Sequence, residues 1–332
     1  MRAKLRLPCV RAPMAPAIAA VLLAGGCGGS EGDRSPQPRG GAPAGRSAPA
    51  RAVYPSPYAN LYVVDARTHA VSRLTHNDDD QVVSGSSWSK SGQIVFTQAP
   101  SDEDPAHLFV IGEGASKARR VRTRLTQVVQ PTWAPDGRRV GVVKLGAGIY
   151  TVGARSGEVA TLTHGQTDAA PAWSPDGRSV AFERQVTATN WDLFTVEVKN
   201  QRVRRVTHDG LQQVTPAWSP DGRRIAYSQQ QEGGNWAIFS RNKGGSDARQ
   251  LTSDRQSTQQ PAWSPDGREI AVVRQNGRDL SIAVMPADGG SPVRLTTRLL
   301  ICRRPAWSPD GRKILFVANR ALSRRDAAEH GD

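Results

Sequence analysis

One eight-residue motif recurs along most of the chain and restricts its possible folds more than any other feature. Four copies read Pro-Ala-Trp-Ser-Pro-Asp-Gly-Arg, a fifth reads Pro-Thr-Trp-Ala-Pro-Asp-Gly-Arg, and a degenerate copy reads Ser-Ser-Trp-Ser-Lys-Ser-Gly-Gln. Its tryptophans, spaced by 45, 40, 45, 45 and 44 residues, are Trp88, Trp133, Trp173, Trp218, Trp263 and Trp307. A period of roughly 40–45 residues made of short strands is typical of a β-propeller with four-stranded blades.

Each repeat reads as four short strands. The tryptophan ends the first strand, and Ser-Pro-Asp-Gly forms a turn in which proline presets φ, aspartate bonds the local backbone and glycine takes a positive φ. Alternating and β-branched residues then predict a second strand, as at 179–183, and a third, as at 192–196. The fourth strand ends in Leu-Thr or Val-Thr, near Leu74, Leu125, Leu162, Val206, Leu251 and Leu295.

The phase of the repeat predicts how the ring closes. The body begins with a third and a fourth strand, at 60–65 and 71–75, and ends with a first and a second strand, at 306–307 and 313–317. Pairing the two halves in one sheet removes the free edges that an open array would leave. We therefore predict an all-β, six-bladed propeller of four-stranded blades, closed by two N-terminal and two C-terminal strands.

The Trp-Ser-Pro-Asp-Gly-Arg motif with its following Leu-Thr strand resembles the repeat of TolB-type propellers over about residues 58–318. The resemblance implies an exported six-bladed propeller that acts by binding other envelope proteins. TolB proteins also carry an N-terminal α/β domain, for which this sequence offers a segment rich in Gly, Pro, Ala and Arg. Only the propeller therefore carries over from the family.

The N-terminus reads as an export signal followed by a spacer. Residues 1–11 are basic, and residues 12–24 are apolar but too short to span a bilayer, which favours a secretory signal over residues 1–26. Leu23-Ala24-Gly25-Gly26-Cys27 resembles a bacterial lipobox, which implies a lipid on Cys27; an ordinary cleavable signal is the alternative. We expect a disordered linker at 27–57, the propeller at 58–318 and a tail at 319–332.

Charge and cysteine content add two constraints. The formal net charge is +14, of which +8 falls on residues 52–332. A basic body can attract anionic polymers or lipid headgroups, but arginines that recur once per repeat are typical of a solvated basic surface. The export signal argues against a nucleic-acid partner. Cys302 is the only cysteine in the propeller sequence, which rules out an internal disulfide.

Several patterns could signal an enzyme, and each has a plainer reading. Gly28-Gly-Ser-Glu-Gly32 matches a nucleophile elbow but lies in the linker, with no strand before it. Related propellers occur in oligogalacturonate lyases, which hold a metal through histidines. The histidines that share one repeat position are His76, His164 and His208. The acidic runs lie at 78–80 and 102–104. We predict no catalytic residues, no metal and no cofactor, because ligands in different blades do not converge and no calcium-loop spacing is present.

The strand order predicts the binding face. Loops from strand four to strand one and from strand two to strand three share a face, opposite the Asp-Gly turns. Trp191 and Trp236 each lie 18 residues after a motif tryptophan, on this face, and amphipathic aromatics there are candidate anchors. We also expect a polar, uneven rim at the inner mouth; its candidate residues are Gly85, Gln130, Ala170, Thr215, Gln260 and Arg304, with Asp168 and Arg303 nearby.

These patterns predict a monomeric, extracytoplasmic propeller, tethered to the membrane through Cys27, that binds an envelope protein or peptide. The candidate partner-binding residues are Trp191, Trp236, Asp168, Gln130, Gln260, Arg303 and Arg304. The alternative is a glycan-binding or polyuronate-lyase-like propeller, in its strongest form metal-dependent.

Overall fold

The structure, a computed structural model, describes most of the propeller sequence. The described residues are 60–75, 82–99, 105–112, 114–115, 117–253, 256–277, 279–297 and 301–319. The predicted signal, Cys27, the linker and the tail lie outside them, as do His76 and both acidic runs.

The described chain forms twenty-four strands in six antiparallel sheets of four. In chain order, the strands of the N-terminal half-blade are β1 (Asn60–Asp65) and β2 (Val71–Arg73). Blade 1 contains β3 (Val82–Trp88), β4 (Gln93–Ala99), β5 (His107–Gly112) and β6 (Arg119–Arg120). Blade 2 contains β7 (Val128–Trp133), β8 (Arg139–Lys144), β9 (Gly148–Gly153) and β10 (Val159–Thr161). Blade 3 contains β11 (Ala169–Trp173), β12 (Ser179–Gln185), β13 (Trp191–Glu197) and β14 (Val203–Arg205).

Blades 4 and 5 repeat the pattern. Blade 4 contains β15 (Gln213–Trp218), β16 (Arg224–Gln230), β17 (Trp236–Asn242) and β18 (Arg249–Gln250). Blade 5 contains β19 (Thr258–Trp263), β20 (Glu269–Asn276), β21 (Asp279–Pro286) and β22 (Val293–Arg294). The last strands are β23 (Ile301–Trp307) and β24 (Lys313–Asn319). Each first strand ends at the motif tryptophan, as predicted.

The ring closes in the predicted way. β1 pairs with β24 over six residue pairs, from Asn60 opposite Ala318 to Asp65 opposite Lys313, so blade 6 has the order β2-β1-β24-β23. The first and last described strands thus satisfy each other's backbone groups, which fixes the blade count at six.

The two predicted faces are confirmed by hydrogen bonds between loops. On one face, the N–H of Gln230, at the end of strand two, donates to the carbonyl oxygen of Gln212, in the loop that leads into the same blade. On the other face, the N–H of Val198, after strand three, donates to the carbonyl oxygen of Arg178 in the Asp-Gly turn. Equivalent bonds recur in other blades. We call the first of these the loop face.

The aspartate carboxylates of the Asp-Gly turns accept hydrogen bonds from residues of the same turn. In blade 3, the Ser174 hydroxyl donates to Asp176 Oδ1 over 2.6 Å, and the Arg178 N–H donates to the same oxygen over 3.0 Å. Blades 4, 5 and 6 repeat both bonds at Asp221, Asp266 and Asp310. These bonds hold the pKa of each carboxyl below its usual value. The aspartates therefore serve the turns, as their repetition predicts.

Aromatic pairs and buried aliphatic side chains join strands and blades. The fourth residue of strand two stacks on strand three in four blades, as for Phe182 on Phe194, with ring centroids 5.7 Å apart. The hydrophobic clusters lie between neighbouring blades; one contains Leu193 and Val206 of blade 3 with Tyr227 of blade 4. Burial of each large side chain contributes roughly 1.5–3 kcal/mol, so the core stabilises the contacts between blades as well as each blade.

The strand-four threonine holds the outer half of a blade. In five blades its hydroxyl oxygen accepts the N–H of a strand-three residue fourteen positions earlier; the threonines are Thr75, Thr163, Thr207, Thr252 and Thr296. All five hydroxyl bonds are buried, and their distances are 2.9–3.0 Å. The Leu-Thr signature therefore encodes a cap on the backbone of strand three.

Blade 1 corrects one sequence prediction. Its fourth strand does not end near Leu125: the Val121 N–H donates to the carbonyl oxygen of Leu108 over 2.8 Å, the bond that Leu162 makes to Ile149 in blade 2. Val121 therefore occupies the leucine position, and Arg122 stands where the other blades carry the threonine. Both aliphatic side chains are buried, so the pattern alone could not choose between them. The extra residues extend the loop before β7.

No segment of the described chain forms a helix long and apolar enough to cross a bilayer.

Candidate channel mouth and loop face

Five of the predicted mouth residues share an unusual backbone conformation. Gln130, Ala170, Thr215, Gln260 and Arg304 have φ between 49° and 56°, in the left-handed region. Each lies within a register shift between strands one and two, directly before the motif proline. Left-handed conformations cost non-glycine residues roughly 1 kcal/mol or more, so their recurrence at one position indicates that the ring geometry imposes them.

Hydrogen bonds between blades hold this conformation. The Ala170 N–H donates to Gln130 Oε1 over 2.5 Å, and the Arg304 N–H donates to Gln260 Oε1 over 2.6 Å. The Gln260 N–H in turn donates to Ser228 Oγ over 2.8 Å. Each bond joins a residue of the innermost strand to a side chain of the preceding blade. Gln130 and Gln260 therefore already serve the ring as acceptors, which leaves their amide nitrogens as the groups that could face a ligand.

A carboxylate that the sequence analysis did not single out completes this belt. Glu183 Oε2 accepts the Thr215 N–H over 2.6 Å. Burial raises the pKa of Glu183 above its usual range, although the Thr215 N–H and the charge of Arg304 lower it. A usable signal was available: Glu183 occupies the fifth position of strand two, where blades 2, 5 and 6 carry Val143, Val273 and Val317.

Arg304 brings a positive charge to the mouth from the blade opposite Glu183. Burial lowers the pKa of Arg304 to about 10, while the charge of Glu183 raises it, and the neighbouring Arg303 lowers it further. Arg304 remains protonated at neutral pH. A Cβ added to Gly85 would lie 3.3 Å from Arg304 Cδ, so the absence of a side chain at Gly85 gives the arginine stem its room. The mouth thus combines two arginines, one partly buried carboxyl group and several amides.

Asp168 is separated from this group by its burial. Its carboxylate accepts two hydrogen bonds from Arg184, Nε to Oδ1 over 2.5 Å and Nη2 to Oδ2 over 2.8 Å, and its side chain is fully shielded from solvent. The guanidinium of Arg184 also lies 5.2 and 5.1 Å from the ring centroids of Phe182 and Phe194. The geometry therefore makes Asp168 a structural acid that orients Arg184, and offers a partner no carboxylate there.

The two candidate tryptophans occupy equivalent positions but differ in exposure. Trp191 begins β13 and is buried, whereas Trp236 begins β17 and is partly exposed. The backbone N–H of Trp236 donates to Ser257 Oγ in the loop that leads into blade 5. Of these two tryptophans, Trp236 is therefore the one that presents aromatic surface on the loop face.

Leu211 is an apolar side chain on the loop face that the sequence analysis missed. It is exposed in the loop before β15, next to Gln212, whose side-chain amide donates to the carbonyl oxygen of Thr189 in blade 3. The signal was a leucine between polar residues in the segment Asp209-Gly-Leu-Gln-Gln213, where nothing local needs burial. Leu211 and Trp236 thus offer two apolar contacts on neighbouring loops.

The described residues bring no three His, Cys, Asp or Glu side chains together in a way that could hold a metal ion. His164 and His208 follow the capping threonines of blades 2 and 3 and are exposed in separate loops. The described part of the chain forms a ring with a charged, polar mouth.

The class defined by this fold is the six-bladed β-propeller, and the comparisons show that it is similar to TolB propellers. Residues 115–261 match the family model of the TolB beta propeller domain. A solved structure of a protein assigned as TolB from Agrobacterium tumefaciens aligns with a TM-score of 0.70 at 20% identity, over 80% of this chain and 99% of that one. TolB from Acinetobacter baumannii aligns with a TM-score of 0.55 at 21% identity, over 64% of this chain and 59% of that one.

An oligogalacturonate lyase in complex with manganese shares the fold as well, with a TM-score of 0.53 at 15% identity, over 76% of each chain. No curated protein sequence matches this chain. At these identities, the structural matches establish the fold alone.

Proposed function

We propose that this chain is an exported, membrane-tethered propeller that binds a protein or peptide of the cell envelope at its channel mouth and loop face. The observation that carries the proposal is the mouth itself, where Arg304, Glu183 and the amides of Gln130 and Gln260 converge from different blades. A ring of inter-blade bonds fixes these groups before any ligand arrives, and such preorganisation lowers the entropic cost of binding.

The mouth suits an extended polar chain. The arginines can bind a carboxylate, and free amide nitrogens can donate to carbonyl oxygens. Leu211 and Trp236 supply the apolar contact that protein interfaces concentrate in a few residues. The TolB-like fold supports the same class of activity, binding without chemistry.

The test is capture of envelope partners by cross-linking and affinity purification. Leu211→Ala with Trp236→Ala, and separately Arg304→Gln, should each reduce capture of the same partner by about tenfold or more, as expected for interface anchors. Val293→Ala is the matched control, because Val293 is an exposed aliphatic residue on the outer strand β22. Capture that is equal in all variants would overturn the proposed face.

Location requires a separate test, since the proposed lipid is on Cys27. Cys27→Ala should move the protein from the membrane fraction to the soluble extracytoplasmic fraction and abolish labelling with a radioactive fatty acid. Labelling that persists in the variant would contradict the tether.

A second candidate is a glycan-binding or polyuronate-lyase-like propeller, favoured by the fold shared with the oligogalacturonate lyase. Among the described residues no three His, Cys, Asp or Glu side chains could hold a metal, so a metal site of this kind would need residues outside them. Metal analysis of the purified protein, with an assay for unsaturated products from polyuronates, separates the candidates: stoichiometric metal with turnover would favour the lyase.

A further inference from the structure

The outer edge of blade 1 carries a dense strip of positive charge. The segment 117–124 contains five exposed cations, Lys117, Arg119, Arg120, Arg122 and Arg124. This corrects the expectation that the arginines simply recur once per repeat. Two of them, Arg122 and Arg124, lie in the extended loop between Val121 and β7. The loop is long because Val121, and not Leu125, occupies the leucine position.

This loop borders an open groove of about 950 Å³ between blades 1 and 2. The lining residues are Arg120, Arg122, Thr123, Arg124, Gly157, Glu158 and Val159. Gly157 is left-handed, with φ 72°, and its turn packs directly against the carbonyl oxygen of Arg122. Among the described residues of the lining, Glu158 alone is acidic, so the groove carries an excess of positive charge.

The neighbouring groove shows that this charge is not a general property of the ring. A groove of about 360 Å³ lies at the corresponding position between blades 2 and 3. Its one lining arginine, Arg184, is already paired with Asp168. Beside the larger groove, Arg119 Nη2 donates to the Ala154 carbonyl oxygen, and in its lining Arg120 Nη2 lies 3.0 Å from His107 Nδ1. These contacts orient the two side chains without cancelling their charge.

We propose that this basic groove binds the phosphate groups of anionic phospholipids at the membrane surface. Guanidinium groups match phosphate oxygens with paired hydrogen bonds, and several cations on one strip bind a surface of repeated phosphates more strongly than scattered ones. The choice of a membrane over another polyanion rests on the proposed function: the described body begins at Asn60 in blade 6, next to blade 1, and the proposed lipid on Cys27 keeps a membrane within reach.

The position of the groove predicts how the propeller would be oriented at a membrane. It is lined by residues of the outermost strands β6 and β10 and of the loops beside them, away from the channel mouth. A propeller held there would stand edge-on to the membrane, with its channel mouth open to a partner.

The experiment is vesicle co-sedimentation of the full chain carrying Cys27→Ala, so that no lipid attached to the protein contributes to binding. Vesicles of phosphatidylglycerol and phosphatidylcholine are compared with vesicles of phosphatidylcholine alone, at low and high salt. The triple variant Arg120→Gln, Arg122→Gln, Arg124→Gln should bind anionic vesicles about 10- to 100-fold more weakly, since each arginine near such a surface contributes about tenfold or less. Arg119 is retained because it ties blade 1 to blade 2.

The matched control removes the same charge from other outer edges, through Arg202→Gln, Arg204→Gln and Arg294→Gln, all exposed in the structure. It should weaken binding by less than about threefold, whereas Glu158→Gln should strengthen it. Thermal melting of each variant verifies that the fold is intact.

Three results would overturn the proposal. They are equal losses in the two triple variants, wild-type binding that does not depend on anionic lipid, and binding of a soluble polyuronate through the same arginines without any binding of vesicles. No protein partner is present in this experiment. A failure of the vesicle-binding proposal can therefore be told apart from a failure of the proposed partner-binding face, which the capture experiment tests.

Discussion

The backbone N–H of Arg304 donates a 2.6 Å hydrogen bond to the side-chain oxygen of Gln260, forty-four residues earlier and one blade away. The same relationship joins Ala170 to Gln130, forty residues apart. The residue that lines the mouth in one blade thus fixes the backbone of the next, so the shape of the mouth depends on all its members.

Gln260→Ala tests this coupling. The partly buried N–H of Arg304 would lose its acceptor, which should lower the free energy of unfolding by about 1–3 kcal/mol. Urea denaturation measures the loss. Gln127→Ala is the control, because Gln127 also has a left-handed φ of 56° but is exposed. Similar losses in both variants would mean that backbone strain, and not the hydrogen bond, determines the effect.

Arg184→Ala tests the structural role assigned to Asp168. It would leave a fully buried carboxylate without its partner, and breaking such a pair costs about 3–5 kcal/mol. Asp168→Asn, which removes the charge, should cost less, and the double variant should cost less than the sum. If Asp168→Asn instead abolished partner capture while stability stayed unchanged, Asp168 would be a binding residue.

Glu183→Gln tests the partly buried carboxyl group of the mouth through the pH dependence of stability. Burial raises the pKa of Glu183 in the folded state, so ionisation destabilises the fold as the pH rises through and above the ordinary glutamate range. Glutamine does not ionise and can still accept the Thr215 N–H. The variant and the wild type should be equally stable near pH 4, and the variant should be more stable at pH 7, as measured by denaturation at both values. A variant that is less stable at pH 7 would show that the ionised carboxylate stabilises the ring through Arg304.

Thr207→Val tests whether the capping hydrogen bond, and not merely the presence of a Leu-Thr or Val-Thr pair in the sequence, stabilises the blade. The buried Leu193 N–H would lose the acceptor that now lies 2.9 Å away, at a cost of about 1–3 kcal/mol, and the Leu193 amide should exchange faster with deuterium. Thr126 belongs to a Leu-Thr pair, which fits the same sequence pattern as Val206-Thr207, but lies exposed in the extended loop of blade 1. Thr126→Val should therefore change stability by less than about 0.5 kcal/mol. Equal effects at the two positions would contradict the assignment of Val121 to the leucine position.

Much of the candidate site was predictable, but its chemistry was not. Gln130, Gln260 and Arg304 were identified as mouth residues because they precede a repeated motif whose place in the blade is fixed. Their hydrogen bonds escaped prediction, because the partners lie in other blades. Trp191 and Trp236 share a repeat position, yet one is buried and the other is partly exposed, since exposure depends on the loops that surround each ring.

The sequence by itself determined the strands, the six blades and the closure of β1 on β24, because these follow from local turn chemistry and from a period built into the covalent chain. Only the tertiary structure decided the left-handed belt of the mouth, the pairing of Asp168 with Arg184 and the choice of Val121 over Leu125. Each depends on atoms brought together from different strands or blades, where burial and hydrogen bonding, and not local pattern, select the contact.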